Sequence, residues 1–280
     1  MALAYLTEGS ATLAAAAWSD ATGFADNATL IVDAGSQIIT TSLNAGSGLA
    51  TGISYIHFRK GFTGQVGSAG TSLETKFANY TTLPNVIVSS GSLWLTCTNT
   101  CNKVRVLGGT VTILSGTVTD LEIVSGTVNA SASATITNLA MAGGFFRDLA
   151  TGSNAMTLAS IYGGTASFMR PVTTITMSEA AGSSVGAPTT FVTYDHATGP
   201  TTVNERGGTF NLIEGSVATL NLYAGRFDAS RAARDLTIGG TATNLYPFSV
   251  FKSKSSGATV TVSNVSDQLG GIVGSYDGQA

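Results

Sequence analysis

Charge is scarce in this sequence. The 13 Lys and Arg and the 16 Asp and Glu make up 10% of 280 residues and leave a net charge of −3. No basic run exceeds Arg59-Lys60, so the clustered cations that a phosphate backbone requires are missing and a nucleic-acid partner is not expected. Histidine occurs only at positions 57 and 196, neither of them spaced to a second ligand as a metal site would demand. The two cysteines, Cys97 and Cys101, are too few to complete a tetrahedral zinc site. Four apart across a tight turn, they read either as two small residues in or beside the core or as a disulfide. Long apolar runs are missing as well. The mean hydropathy is +0.27, yet no stretch of about 18 apolar residues is present to span a bilayer as a helix, and no membrane partner is expected. The opening MALAYLTEGSATLAAAAW carries no basic residue ahead of its apolar part and is interrupted by Glu8, which argues against a secretory signal. No P-loop, dinucleotide fingerprint or GGxGxD calcium repeat occurs, and no cofactor is expected.

What the chain has in quantity is glycine, 34 residues of it, together with Ser, Thr and Asn, the residues of tight corners and turns. The glycines are ordered. Residues 108–128 read GGTVTILSGTVTDLEIVSGTV and residues 207–227 read GGTFNLIEGSVATLNLYAGRF, an offset of 99. Gly108, Gly109, Gly116 and Gly126 superimpose on Gly207, Gly208, Gly215 and Gly225. Val111, Ile113, Val118, Leu121, Ile123 and Val128 answer to Phe210, Leu212, Val217, Leu220, Leu222 and Phe227, so the apolar positions persist while their sizes change. Short alternating strands broken by glycine at a period near 20 residues are the pattern of stacked coils. The fold class expected is therefore all-β, a parallel β-helix (β-solenoid) with about 17–22 residues per coil and irregular N- and C-terminal caps.

Taking Gly109, Gly126, Gly144, Gly164, Gly208 and Gly225 as equivalent corners gives spacings of 17, 18, 20, 44 and 17, the 44 being two coils. Each coil is expected to hold three short strands, as in 110–114, 117–119 and 121–124, with breaks at Gly116, at a bend near Asp120 and at Gly126. The chain divides into an N-terminal cap and possible docking region, 1–85, a solenoid body, 86–245, with an irregular insertion around 177–205, and a C-terminal cap, 246–280. Only 73–79 has even a weak helical period. Caps are required because a terminal coil otherwise exposes an open strand edge and an apolar cross-section.

Solenoids that cleave polysaccharides gather carboxylates on one outer face. Asp120 and Glu122 flank inward Leu121 and so point outward together, but their counterparts in the second copy are Thr219 and Asn221, as solvent-facing positions tolerate. Asp195, His196 and Glu205 cluster in the irregular segment with Arg206 as the one cation. Residues 182–186 match the GxSxG nucleophile pattern, although a strand-like run follows where that motif requires a helix. None of these makes a convincing active site, and a non-enzymatic role is expected, with no catalytic, cofactor or metal residues assigned. Two groups are candidates for contact with partners. Leu114 and Ile213 share one template position and Val124 and Tyr223 another, outside the core or at its corners. They either fill corners or form an apolar stripe suited to side-by-side packing as a homotrimer. His57, Phe58, Arg59 and Lys60 concentrate aromatics and cations, either as a docking patch or as the edge of the N-terminal cap.

The opening, with Trp18-Ser19-Asp20 ahead of Gly23-Phe24-Ala25-Asp26, then LIVDAGSQIITTSLN and FRKGFTGQVGSAGTSL, resembles proteins of tailed bacteriophages from the virion structural genes near that of the major capsid protein. The likeness runs from the start of the chain to the neighbourhood of Leu73, and Gly-Thr-Val solenoids occur alike in phage decoration proteins, tail spikes and adhesins. What the resemblance implies is a trimeric decoration or cement protein on the virion capsid surface, bound to the major capsid protein and bracing the head. It carries no catalytic residues to this chain. The alternative is a tail spike or fibre that binds or cleaves host surface polysaccharide, for which aligned carboxylates on successive coils are the missing sign.

Overall fold

The structure is a computed structural model that describes residues 3–6, 28–35, 38–39, 43–44, 53–66, 73–74, 85–179, 190–246, 249–252 and 258–267. Every regular element among the described residues is a β-strand. The strands pair in parallel, each with the strand one coil further along the chain. Parallel pairing without hairpins is the ladder of a β-solenoid, and the fold class read from the repeat stands. The chain forms two compact units, residues 1–138 and 139–280.

In the first unit Leu3–Leu6 pairs with Ala28–Gly35, which pairs with Ile53–Phe62, which pairs with Asn85–Val88. Parallel stacking therefore already runs through the described part of the segment read as a cap. Asn85–Val88 then lies on Ser92–Val106, and that strand on Thr110–Ile123. One coil carries the chain from Ser92 to Thr110 and the next from Thr110 to Thr127, close to the glycine spacing of the sequence. The coil from Leu30 to Ile56 is longer.

Glycine turns the chain at three successive corners of the first unit. Gly91, Gly109 and Gly126 have φ of 76°, 74° and 86°, and a Cβ on Gly126 would stand 2.5 Å from the Gly109 carbonyl oxygen. The corner carbonyls accept hydrogen bonds from the next coil, Thr110 N–H to Gly91 O and Thr127 N–H to Gly109 O, each at 2.9 Å. A side chain would fail twice there, in backbone conformation and in space. The bend expected near Asp120 is visible in the burial pattern. Val118 and Leu121 face inward while both Thr119 and Asp120 face outward, so alternation skips and the chain changes face without leaving the ladder. The same skip falls at Thr137 and Asn138.

In the second unit Phe145–Asp148, Gly164–Phe168, Thr190–Asp195, Thr202–Glu214, Val217–Asp228 and Ser249–Lys252 stack one on the next. Gly164 pairs with Thr190 and Phe191 with Thr209, so the interval between Gly164 and Gly208 is two coils with Thr190 standing in one corner. Leu236–Leu245 pairs with Val260–Val262 and Val265–Asp267, which carries parallel pairing beyond residue 246. The core of this unit is lined by an aromatic series. Phe146, Phe168, Tyr194, Phe210, Phe227 and Phe251 follow one another with ring centroids 5.2–6.5 Å apart. All twelve apolar template positions are buried, none more than 1% exposed.

Candidate functional site

The outward carboxylates of the first unit are engaged. Glu122 receives Lys103 Nζ at 2.6 Å and lies 3.3 Å from Arg105 Nε, and the hydrogen bond from Lys103 to Glu122 holds the ammonium above the ordinary lysine range. Asp120 accepts a hydrogen bond from Asn138 Nδ2 at 2.9 Å. The register explains the ion pairing: Lys103 stands opposite Asp120 and Arg105 opposite Glu122 on adjacent coils, which makes a half-exposed ladder of alternating charge. Such pairs contribute about 0–1 kcal/mol each.

Asp195, His196 and Glu205 are not brought together as one site. Asp195 is half-exposed and stands opposite Glu214. His196 Nδ1 accepts the Thr198 N–H at 3.1 Å in the following turn. Glu205 is wholly buried and points into the coil, in an inward column with Met177 before it and Leu222 and Leu245 after it. Neither of its carboxyl oxygens has a hydrogen-bond partner. Burial pushes this carboxyl well above the ordinary carboxylate range, and the Arg226 backbone N–H draws it back only in part, without the geometry of a hydrogen bond. The GxSxG stretch, 182–186, lies outside the described residues. Among the described residues no three His, Cys, Asp or Glu side chains are grouped to hold a metal ion, and no helix is long and apolar enough to cross a membrane.

The patch expected at 57–60 is divided by strand alternation. Phe58 is a core residue, wholly buried with its ring 5.5 Å from that of Phe62, and is corrected from a surface role. His57 faces the other way, half-buried, with Nε2 3.1 Å from Ser89 Oγ. Arg59 is half-buried and Lys60 exposed. Leu114 and Ile213 are half-buried corner residues whose carbonyls bind the next coil, the first accepting from the Ser131 hydroxyl and the second from Ala233 N–H at 3.0 Å. Val124 stands 43% exposed in the first unit. In the second, Tyr223 stacks on Tyr246 with centroids 4.5 Å apart, and the Arg206 guanidinium lies 5.3 Å from the Tyr223 ring centre.

Sequence reasoning missed two polar assemblies of the second unit. Asp148 and Arg170 form a fully buried ion pair, Oδ1 accepting from Nη2 at 2.6 Å and from Nε at 2.8 Å, while Oδ2 accepts the Met169 N–H at 2.9 Å. Burial raises the Asp148 carboxyl against the pull of Arg170 and Met169. The second assembly is an asparagine ladder on an outer face. Asn244 Nδ2 donates to Asn221 Oδ1 at 2.7 Å, and Asn221 Nδ2 donates to Asn204 Oδ1 at 2.8 Å. The ladder could have been found from Asn204 and Asn221, which are separated by one coil length. The ion pair has no counterpart in the template and gave no such signal.

The fold defines the class, a parallel β-solenoid. No protein-family model, curated protein or solved structure matches the chain.

Proposed function

We propose that the chain is a non-enzymatic structural protein of a tailed-phage virion, a decoration protein that binds the outside of the head through the major capsid protein and works as a homotrimer. The observation that supports the non-enzymatic reading is the state of three of the four carboxylates singled out by sequence, the fourth, Asp195, standing half-exposed opposite Glu214. Glu122 is ion-paired, Asp120 is hydrogen-bonded to Asn138, and Glu205 is sealed in the core. Acid–base work requires a carboxyl within reach of substrate. The parallel ladder supports a bracing role, because each coil is tied to the next along its length. The virion assignment rests on the likeness of the opening segment, which ends near Leu73.

Immunogold labelling of purified virions with an antibody against the chain tests this reading. Label over the heads is expected. Label confined to tail tips would replace decoration with the spike reading, and particles free of label would overturn both.

A further inference from the structure

Cys97 and Cys101 belong to one strand, Ser92–Val106, where residues four apart share a face but ordinarily stand about 13 Å from each other, and both side chains are buried in the first unit, at 1% and 0% exposure. The register against the next coil shows how they meet. Cys97 stands opposite Gly116 and Cys101 opposite Val118, so the chain between the cysteines faces the single residue Thr117. The strand throws out a bulge there, and the cysteines flank its neck. Their Sγ atoms lie 2.7 Å apart, inside the roughly 3.5–4.0 Å at which non-bonded heavy atoms rest. The next coil fixes the neck from the other side, since a Cβ on Gly116 would fall 1.7 Å from the Cys97 carbonyl oxygen.

We propose that Cys97 and Cys101 are the site of an intrachain disulfide that cinches this bulge. The ladder loses regular pairing where the longer stretch opposes a single residue, and a covalent tie at the neck restores what that interruption gives up. The oxidant is a low-molecular-weight disulfide such as oxidised glutathione. One cysteine thiolate attacks it, forms a mixed disulfide and releases one small thiolate. The second cysteine thiolate then attacks the chain sulfur of that mixed disulfide and releases the other. Two protons leave the chain thiols, the cysteines are oxidised, and the reagent is reduced to two thiols. Exchange takes place while the coil is open, during folding or local unfolding. Once closed, the bond has almost no exposure to reducing thiols.

The test is to refold the full chain with oxidised glutathione, denature it without reductant, alkylate with iodoacetamide and measure the intact mass. The expected result is a chain lighter by two hydrogens, with no alkyl groups, that takes up two after reduction. Two alkyl groups before reduction, bound glutathione, or a bond to a second chain would overturn the proposal. The oxidised chain should also melt about 2–6 °C above the reduced chain, with C97S matching the reduced form. Equal melting of oxidised and reduced chains would overturn the cinching role.

Discussion

Glu205 is the residue whose chemistry departs furthest from its surroundings. Its column places it between Met177 and Leu222, positions that any apolar side chain would suit, and Gly225 on the next coil leaves the room its carboxyl occupies, since a Cβ there would meet Oε1 at 2.8 Å. A buried carboxyl with no partner stays protonated because the charged form would be far more costly. The raised proton affinity fixes the sign of the pH dependence. In the unfolded chain the carboxyl ionises near its ordinary value of about 4.3, whereas the folded chain holds the proton to a higher pH. The contribution to stability is therefore complete below that ordinary value. It falls by about 1.4 kcal/mol per pH unit as pH rises toward the folded value. Comparing urea denaturation of wild type and Glu205→Gln between pH 5 and pH 8 should show the wild type losing stability relative to the variant. Parallel curves for the two would dismiss the buried neutral carboxyl. Glu205→Met, which continues the apolar column, should be more stable than wild type at pH 8 by about 1–3 kcal/mol. Asp228 behaves in the opposite sense. Burial works to raise it, but hydrogen bonds from Ser230 and from the Arg226 side chain leave it below the ordinary range. Its share of stability is present above pH 4 or so and is lost as pH falls through its folded value, so Asp228→Asn should blunt acid destabilisation, as read by melting temperature between pH 5 and pH 2.

At the scale of the element, corners and core columns respond differently to substitution. Gly126, at φ 86° and 2.5 Å from the Gly109 carbonyl oxygen by its missing Cβ, accepts no side chain without backbone movement, whereas a Cβ on Gly240 meets nothing within 4 Å. Gly126→Ala should lose about 2 kcal/mol or more in denaturant unfolding, and Gly240→Ala should change stability by under about 0.5 kcal/mol. Equal effects at the two positions would show that the glycine column is not a geometric requirement. Phe210, stacked between neighbouring coils at 5.2 Å from Phe227, should lose about 3–5 kcal/mol on replacement by alanine in the same measurement. These elements were the legible part of the sequence. A repeated coil writes its inward residues at fixed offsets, so Val111 and Phe210, or Leu121 and Leu220, disclose the core by their spacing alone. The bend at Asp120 was legible for the same reason, as a break in alternation. Phe58 was misread because an aromatic beside Arg59 and Lys60 looks like a surface cluster until the alternation of its strand is followed inward. Asp148 and Arg170 stayed hidden because a single ion pair, made once between two neighbouring coils, leaves no repetition to detect.

For the whole molecule the balance of surface chemistry carries the remaining prediction. With charge at 10% of the residues, few side chains hold neighbouring copies apart, and each unit presents large apolar groups to solvent. Val124 in the first unit is 43% exposed, and Phe145, Tyr162 and Val250 in the second are 58%, 49% and 48% exposed. An exposed aromatic such as Phe145 gains roughly 1.5–3 kcal/mol on full burial, so copies of such a group brought together in an assembly work against the entropy that association costs. Closed rotational symmetry satisfies such surfaces without leaving an open end, as a head-to-tail contact that failed to close would. Light scattering on the eluting chain at micromolar concentration should return three times the chain mass of 28.3 kDa. Introducing charge at the two sites, Val124→Lys and Phe145→Glu, should be tested one at a time. If either face is the contact, that variant returns to single-chain mass with its melting behaviour otherwise intact, because a charge in the middle of an apolar contact is stranded there. A wild-type chain that elutes at 28.3 kDa would remove the trimer, and with it the idea that these apolar groups are covered by further copies of the same protein.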